Sequence, residues 1–568
     1  MKSSRQMRPG STRSNLSAAA TFAGLWTGFA VLYLSLRSNQ YTAVDGALRC
    51  LAVYWRRPPY IGSNNHLLYP ADVYAWTAFL KSIGATWNSP VAFIRSVQAM
   101  NAIFGAGAAA LVYLLVRRVS SSAGCAIVSA GIYGISHAVL MHAANSAEPV
   151  VGLFFSLLAT MLAIEGIAGT GFIYLLSAGF TLALALANYE SMVLVGPSIF
   201  LMALFLPATV NTPSDIGLTT FDPPASFKEA ARRSKRLVAM GTGFLAGVAL
   251  IYGGAYYSAG VDSPRAMAVK FFRMGGEPKV YGGWSLSKVV NFPIGMIGNL
   301  AAVLPQDYGG LRLLFRDRNI LSLALILMIA AILIAAAAII MPELARRRRR
   351  SGPSWAICMI SAFGAAIVFF PNFYWDPIYD KLWLQPLALM VAAGGIAAGK
   401  IGGTARRALS AVAALLIASE LAFNLPAAWN AHHSSTRCIE DAQAVARIIR
   451  PKDKVVADFD FVSSLWLGLY NTEPSRALLF PAESPAVSVP TLARWKDRCA
   501  AEGCVIFFIG LLNQSRKEWT AFLGNHVGVP YEALASYRSD AKPVLRFSCE
   551  EGYLRAFTPA RPVGGRHQ

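Results

Sequence analysis

The sequence predicts a multispanning α-helical membrane protein of about eleven transmembrane helices, followed by a small α/β domain outside the cytoplasm. Three observations predict it. Of the 568 residues, 55% are hydrophobic and only 14% are charged. Several unbroken apolar runs reach the ~20 residues that cross ~30 Å of hydrocarbon as a helix. From His432 onward charge rises and the apolar runs shorten to strand length. The net charge of +21 fits basic residues gathered in cytoplasmic loops and beside anionic headgroups, which argues against a nucleic-acid partner.

The elements follow in order. The amino end, MKSSRQMRPGSTRSN, is basic, and the apolar segment after it is long and lacks a small-residue cleavage site. It reads as a retained first span over residues 17–36, with the amino terminus in the cytoplasm. An outer loop, 37–92, leads to spans expected over 93–116, 123–142, 150–167, 172–187 and 192–206. A basic segment with Lys228, Arg232, Arg233, Lys235 and Arg236 then lies inside. The span 237–257 opens a second outer loop, 258–319. Within it 291–305 is apolar but reads as re-entrant or interfacial, because counting it as a span would put the arginine run outside. Span 320–340 ends in five consecutive arginines, Arg346 to Arg350, which fix that end in the cytoplasm. Spans over 355–370, 382–398 and 409–423 complete the bundle. In the tail, KVVADFDF and CVIFFIG read as buried strands, while IEDAQAVARIIR and RKEWTAFLGNH have helical spacing, an alternation that indicates an α/β domain. Gly241, Gly243 and Gly247 fall inside an apolar span with no strand before them and read as helix packing rather than a nucleotide loop.

Chemistry concentrates in short polar stretches at the outer helix ends. The stretch from Val44 to Trp76 packs Asp45, Arg49, Arg56, Arg57, His66 and Asp72 among aromatic residues, and active residues gather on loops carried by rigid scaffolds. Asp45 can take a proton from a hydroxyl or orient it; the competing reading is an N-cap for the helix that follows. Glu148, in Asn145-Ser146-Ala147-Glu148, is a second catalytic candidate, with a capping box as its alternative. Residues 372–381, NFYWDPIYDK, supply Tyr374, Trp375, Asp376 and Lys381. Lys381 is expected at the surface of that rim, where a lipid phosphate needs a positive partner; a snorkelling membrane anchor is the other reading. No Walker loop, zincin or nucleophile elbow occurs, so nucleotide-driven transport and serine hydrolysis lose support.

On these residues the chain resembles the GT-C superfamily of membrane glycosyltransferases, in particular the bacterial branch related to protein O-mannosyltransferases. The matching features are Asp45 after the first span, HLLYPADVYAW over 66–76, Ala147-Glu148 after the third span, and NFYWDPIYDKLWLQP over 372–386. The turn that reads AEVY in that branch reads AEPV here. The resemblance covers residues 17–429 and implies a GT-C-like module over 1–429, an extracytoplasmic domain over 430–568 and residence in a bacterial inner membrane. It implies a polyprenyl-phosphate sugar donor and a lipid, glycan or protein acceptor. Asp45 and Glu148 would be the catalytic carboxylates, and Arg49, Arg56, Arg57, His66, Asp72, Tyr374, Trp375, Asp376 and Lys381 would bind substrates. Members differ in their use of a divalent metal, and the sequence requires none.

A reading from a different class is a carrier or flippase for a lipid-linked or anionic solute. A carrier places ionisable groups at mid-bilayer on broken helices, whereas here they lie at span ends, Glu165 and Glu420 included. That favours the enzyme. In an oxidising compartment the tail cysteines are expected to pair as Cys499 with Cys504 and Cys438 with Cys549.

Overall fold

In the computed structural model, the residues described are 9–39, 44–54, 66–205, 227–258, 263, 265, 286–304, 320–351, 380–433, 437–457, 462, 465–467, 476–479, 485–510, 512, 516, 531–548 and 552–559. Of the expected spans, the one over 355–370 lies outside them, as do Arg56, Arg57, Tyr374, Trp375, Asp376 and Cys549.

Helix α1 (Pro9–Ser35) is the first span; α2 (Val44–Tyr54) and α3 (Tyr69–Ser82) are short and follow it; α4 (Pro90–Ser120) is the longest helix of the first half of the chain. Ser89 begins α4 by accepting a hydrogen bond from the Ala92 amide, and Pro90 takes the first helical position, where a missing N–H does no harm. Most of α4 is buried. Its small residues, among them Gly105 and Ala106 to Ala110, let neighbouring helices approach closely in the absence of a hydrophobic force between spans. A Cβ on Gly105 would lie 2.6 Å from that of Ala143.

The single span expected over 123–142 is instead two helices, α5 (Ala123–Ile135) and α6 (His137–Ala143), bent by 64°. Ser136 breaks the helix, with ψ at 147°, and the Ile135 carbonyl exposed by the break accepts from Asn424 Nδ2. A backbone carbonyl freed inside a bundle needs such a donor. Then come α7 (Pro149–Glu165), α8 (Phe172–Asn188), a 3-10 turn Glu190–Val195 and α9 (Gly196–Phe205). Helix α10 (Phe227–Val248) continues through a π turn into α11 (Gly254–Ser258). Its Gly243 abuts the Leu176 carbonyl, its Gly247 abuts Ala183, and Gly179 of α8 abuts the Met240 carbonyl, so Gly243 and Gly247 serve helix packing, whereas a Cβ on Gly241 would meet no neighbour within 4 Å. Helix α12 (Leu286–Leu300) is 15 residues long with Pro293 inside it, short for a span. Helices α13 (Ile320–Ser351), α14 (Leu384–Lys400) and α15 (Gly403–His433) finish the bundle. Seven described helices are long and apolar enough to cross a membrane, eight if the bent pair counts as one span, with two shorter apolar helices at 172–188 and 190–204.

The ends of α1, α6 and α15 meet at one face of the bundle: Ser38 N donates to Ala144 O at 2.9 Å and Asn39 N to Ala431 O at 3.0 Å. The C-terminal domain leaves from that face. It comprises α16 (Arg437–Ile448), β1 (Lys454–Ala457), β2 (Ala477–Leu479), α17 (Pro485–Glu502), β3 (Ile506–Ile509), α18 (Ala535–Asp540), β4 (Lys542–Arg546) and β5 (Tyr553–Phe557). The five-stranded sheet runs β2-β1-β3-β5-β4, with β1 parallel to β2 and β3, and β5 antiparallel to β3 and β4. Side chains alternate across it. Val455, Phe507 and Leu554 join α16 on one face, while Val456, Phe508 and Phe557 join α17 on the other. The first face belongs to the same buried cluster as Ala47, Cys50 and Leu51 of α2 and Ile94 of α4, so the domain packs onto the start of the bundle. Cys499 and Cys504 form a disulfide, as expected, and Cys438 is disulfide-bonded too.

Candidate active site

The site is built on the turn between α6 and α7. Three buried carbonyls there receive side-chain donors from other helices. Asn101 Nδ2 of α4 donates to Asn145 O at 2.9 Å and to Ala147 O at 2.8 Å, and the Tyr69 hydroxyl of α3 donates to Ser146 O at 3.0 Å. The turn thereby fixes Glu148, which is fully buried and immediately precedes Pro149. The residue at the cap position of α7 is Glu148 itself, without a side-chain cap hydrogen bond, so Asn145 is not the cap that a capping box over 145–148 requires.

Glu148 Oε1 instead accepts from Lys381 Nζ at 3.1 Å and lies 3.8 Å from His66 Nε2. Lys381 comes from the 3-10 turn Asp380–Trp383 that leads into α14. That turn is held by Gln385 Nε2, which donates to Met192 O at 2.9 Å, and by Trp383, fully buried against Phe292. Lys381 is 5% exposed, not the surface lysine expected, and Glu148 balances its charge. His66 is fixed by its Nδ1, 3.3 Å from Asn188 O, and by stacking on Tyr189 at 4.9 Å.

Burial would push the Glu148 carboxyl up, but the charges of Lys381 and Arg49 beside it hold it down at about 2. Burial lowers His66 to about 3 despite the opposing charge of Glu148. Nδ1 is then the donor to Asn188 O, and Nε2 carries a lone pair toward Glu148. Asp72 of α3 is pushed up to about 7 by burial, against a hydrogen bond from Asn188. Arg49 acts on both Glu148 and His66 through its charge.

Asp45 is the second residue of α2; its side chain lies outside those described. The backbone beside it is in the site. A Cβ on Gly46 would fall 1.8 Å from Ser146 O and 3.0 Å from Glu148 Oε2, so α2 begins directly against the Glu148 turn. The structure thus brings His66, Glu148, Lys381 and Arg49 together, with Asp72 joined through Asn188. Asn101, Tyr69, Asn188, Tyr189 and Gln385 were not singled out from sequence. A polar residue within an apolar run, as at Asn101, is the signal that marks them. Among the described residues no three His, Cys, Asp or Glu side chains converge as metal ligands. Glu148 Oε2, which makes no hydrogen bond, and His66 Nε2 are two candidate donors, without a third among the described residues.

No protein-family model and no curated protein sequence matches the chain. Its structure is similar to that of ArnT from Cupriavidus metallidurans bound to undecaprenyl phosphate, with 11% sequence identity, a TM-score of 0.56 and coverage of 96% of this chain and 100% of that one. The apo form of the same protein matches with 10% identity, a TM-score of 0.55 and the same coverage. At such identity the likeness speaks for architecture: the chain is an integral membrane protein with the GT-C fold.

Proposed function

We propose that this protein transfers a sugar from a polyprenyl-phosphate donor to a hydroxyl of a lipid, glycan or protein acceptor at the outer face of the membrane. The observation that carries the reading is the buried Lys381–Glu148–His66 cluster, set where apolar helices end and where α2 brings the backbone of Asp45 alongside. The undecaprenyl phosphate bound by the ArnT neighbour supports a lipid phosphate as the donor's leaving group.

The acceptor oxygen attacks the anomeric carbon while its proton passes to the Asp45 carboxylate. The carbon–oxygen bond to the phosphate breaks, and polyprenyl phosphate leaves with the electron pair. Glu148, held at about 2, is a weak base, so its part is to keep Lys381 charged and in place. The Lys381 ammonium carries three N–H donors, and with Arg49 it offsets the charge that grows on the departing phosphate. Arg56, Arg57, Tyr374, Trp375 and Asp376 complete the substrate site in this reading. The amino terminus and Arg346–Arg350 face the cytoplasm, and residues 430–568 form a separate domain in the periplasm.

The test is donor turnover by purified protein. Changing Asp45 to Asn keeps size and a hydrogen-bond acceptor, so it spares a cap while removing a base worth about 10² to 10⁴ in rate. A normally folded Asp45→Asn protein with near-normal transfer would move the catalytic carboxylate elsewhere.

A further inference from the structure

The C-terminal domain holds a second polar cluster, apart from the Glu148 site. Arg476 leads into β2 and is only 8% exposed; Trp466, in the helical turn at 465–467, is 1% exposed. The guanidinium carbon lies 5.8 Å from the centroid of the indole ring. Arg476 Nε and Trp466 Nε1 are both buried, and among the described residues neither has a hydrogen-bond partner. None of the ion pairs among the described residues includes Arg476.

This arrangement is unfavourable unless something completes it. A buried N–H donor left without an acceptor is destabilising, and here one of the two belongs to a cationic guanidinium. The face of the indole offsets part of that, but the indole N–H is itself left unpaired, which adds to the deficit. Two neighbouring buried donors without an acceptor among the described residues match an oxyanion, because a guanidinium engages carboxylate or phosphate oxygens through its N–H donors. Trp466 also belongs to the buried cluster that includes Ala47, Cys50 and Leu51 of α2, so a ligand here would rest on the packing that supports the helix carrying Asp45.

We propose that Arg476 and Trp466 form a binding site for an oxyanion, a carboxylate or phosphate carried by a small solute or a lipid headgroup. This does not rest on the transfer reaction. The test uses the full chain in phosphatidylcholine nanodiscs with its tryptophans labelled with ¹⁵N at the indole nitrogen. Trp466→Phe identifies the Trp466 resonance by its loss. Inorganic phosphate or acetate is expected to shift that resonance saturably, and chloride at matched ionic strength is not. A shift seen only when phosphatidylglycerol is built into the disc assigns the oxyanion to a headgroup. Arg476→Gln should weaken the response about tenfold or more, whereas the Glu148→Gln/Lys381→Met pair leaves it intact and so separates it from the proposed donor site. Arg476→Gln is also expected to raise the melting temperature in anion-free buffer. A resonance that none of these additions moves, one that moves equally in Arg476→Gln, or an Arg476→Gln protein that is less stable or fails to fold would each overturn the proposal.

Discussion

Glu148 and Lys381 are each almost fully buried, and they compensate each other across 233 residues of sequence. Removing one partner strands the other charge, which costs about 3–5 kcal/mol, whereas removing both is close to neutral. Glu148→Gln or Lys381→Ala alone should therefore lower the melting temperature markedly, and Glu148→Gln with Lys381→Met should restore most of it; thermal unfolding of the three variants checks this. If transfer proceeds as proposed, the double variant stays inactive despite its recovered stability. Acid–base linkage gives a second prediction at this scale. His66 falls from 6.5 to about 3 on folding, so the unfolded chain takes up a proton that the folded one refuses. Its contribution is complete above 6.5 and is lost as pH falls toward 3. Asp72 rises from 3.8 to about 7, so its contribution is complete below 3.8 and is lost as pH climbs toward 7. Between 3.8 and 6.5 the slopes of these two groups oppose each other. Asp72→Asn should unmask the His66 slope, about 1.4 kcal/mol per pH unit of stability lost on acidification. His66→Gln should unmask a slope of opposite sign. Glu148, His66 and Lys381, which the structure brings together, stood out in the sequence because polar groups are conspicuous in an apolar chain. The burial of Lys381 was not legible there, since it follows from a partner that only the fold brings near.

At the level of elements, the site depends on how closely α2 meets the turn between α6 and α7. The contact at Gly46 leaves no room for a methyl group, since a Cβ would lie 1.8 Å from Ser146 O. Gly46→Ala must push the start of α2 away and carry Asp45 with it, and misplacement by about 1 Å can cost ~10²-fold in rate. Activity is expected to fall by that order in a protein that still folds, as kinetics alongside thermal unfolding would show. Apolar runs of span length located the long helices well, because a lipid-facing helix must be apolar along its whole length. The bend at Ser136 escaped that reading. Hydropathy does not register a break whose freed carbonyl is satisfied by Asn424, a residue 289 positions away. Strands β1 and β3 were legible as short apolar runs, but the order β2-β1-β3-β5-β4 rests on pairings between distant segments.

For the whole molecule, the reading requires the Glu148 cluster and the C-terminal domain to share one side of the membrane, opposite Arg346–Arg350. The structure joins the first two through the cluster that links α2, α4 and the sheet; the arginine run sits at the far end of α13. Single-cysteine labelling of intact cells with an impermeant reagent should modify positions in the C-terminal domain and spare positions beside the arginine run. The reverse pattern would place the site on the cytoplasmic side. The measurement closest to the central claim is mass spectrometry of the lipids that co-purify with the protein, followed by incubation with a polyprenyl-phosphate sugar. The account predicts that a polyprenyl phosphate or its glycoside is retained, and that the added donor is converted to free polyprenyl phosphate as its sugar moves to an acceptor hydroxyl. Retention of no polyprenyl lipid, together with a donor left intact in the presence of acceptor-containing membrane extract, would contradict it.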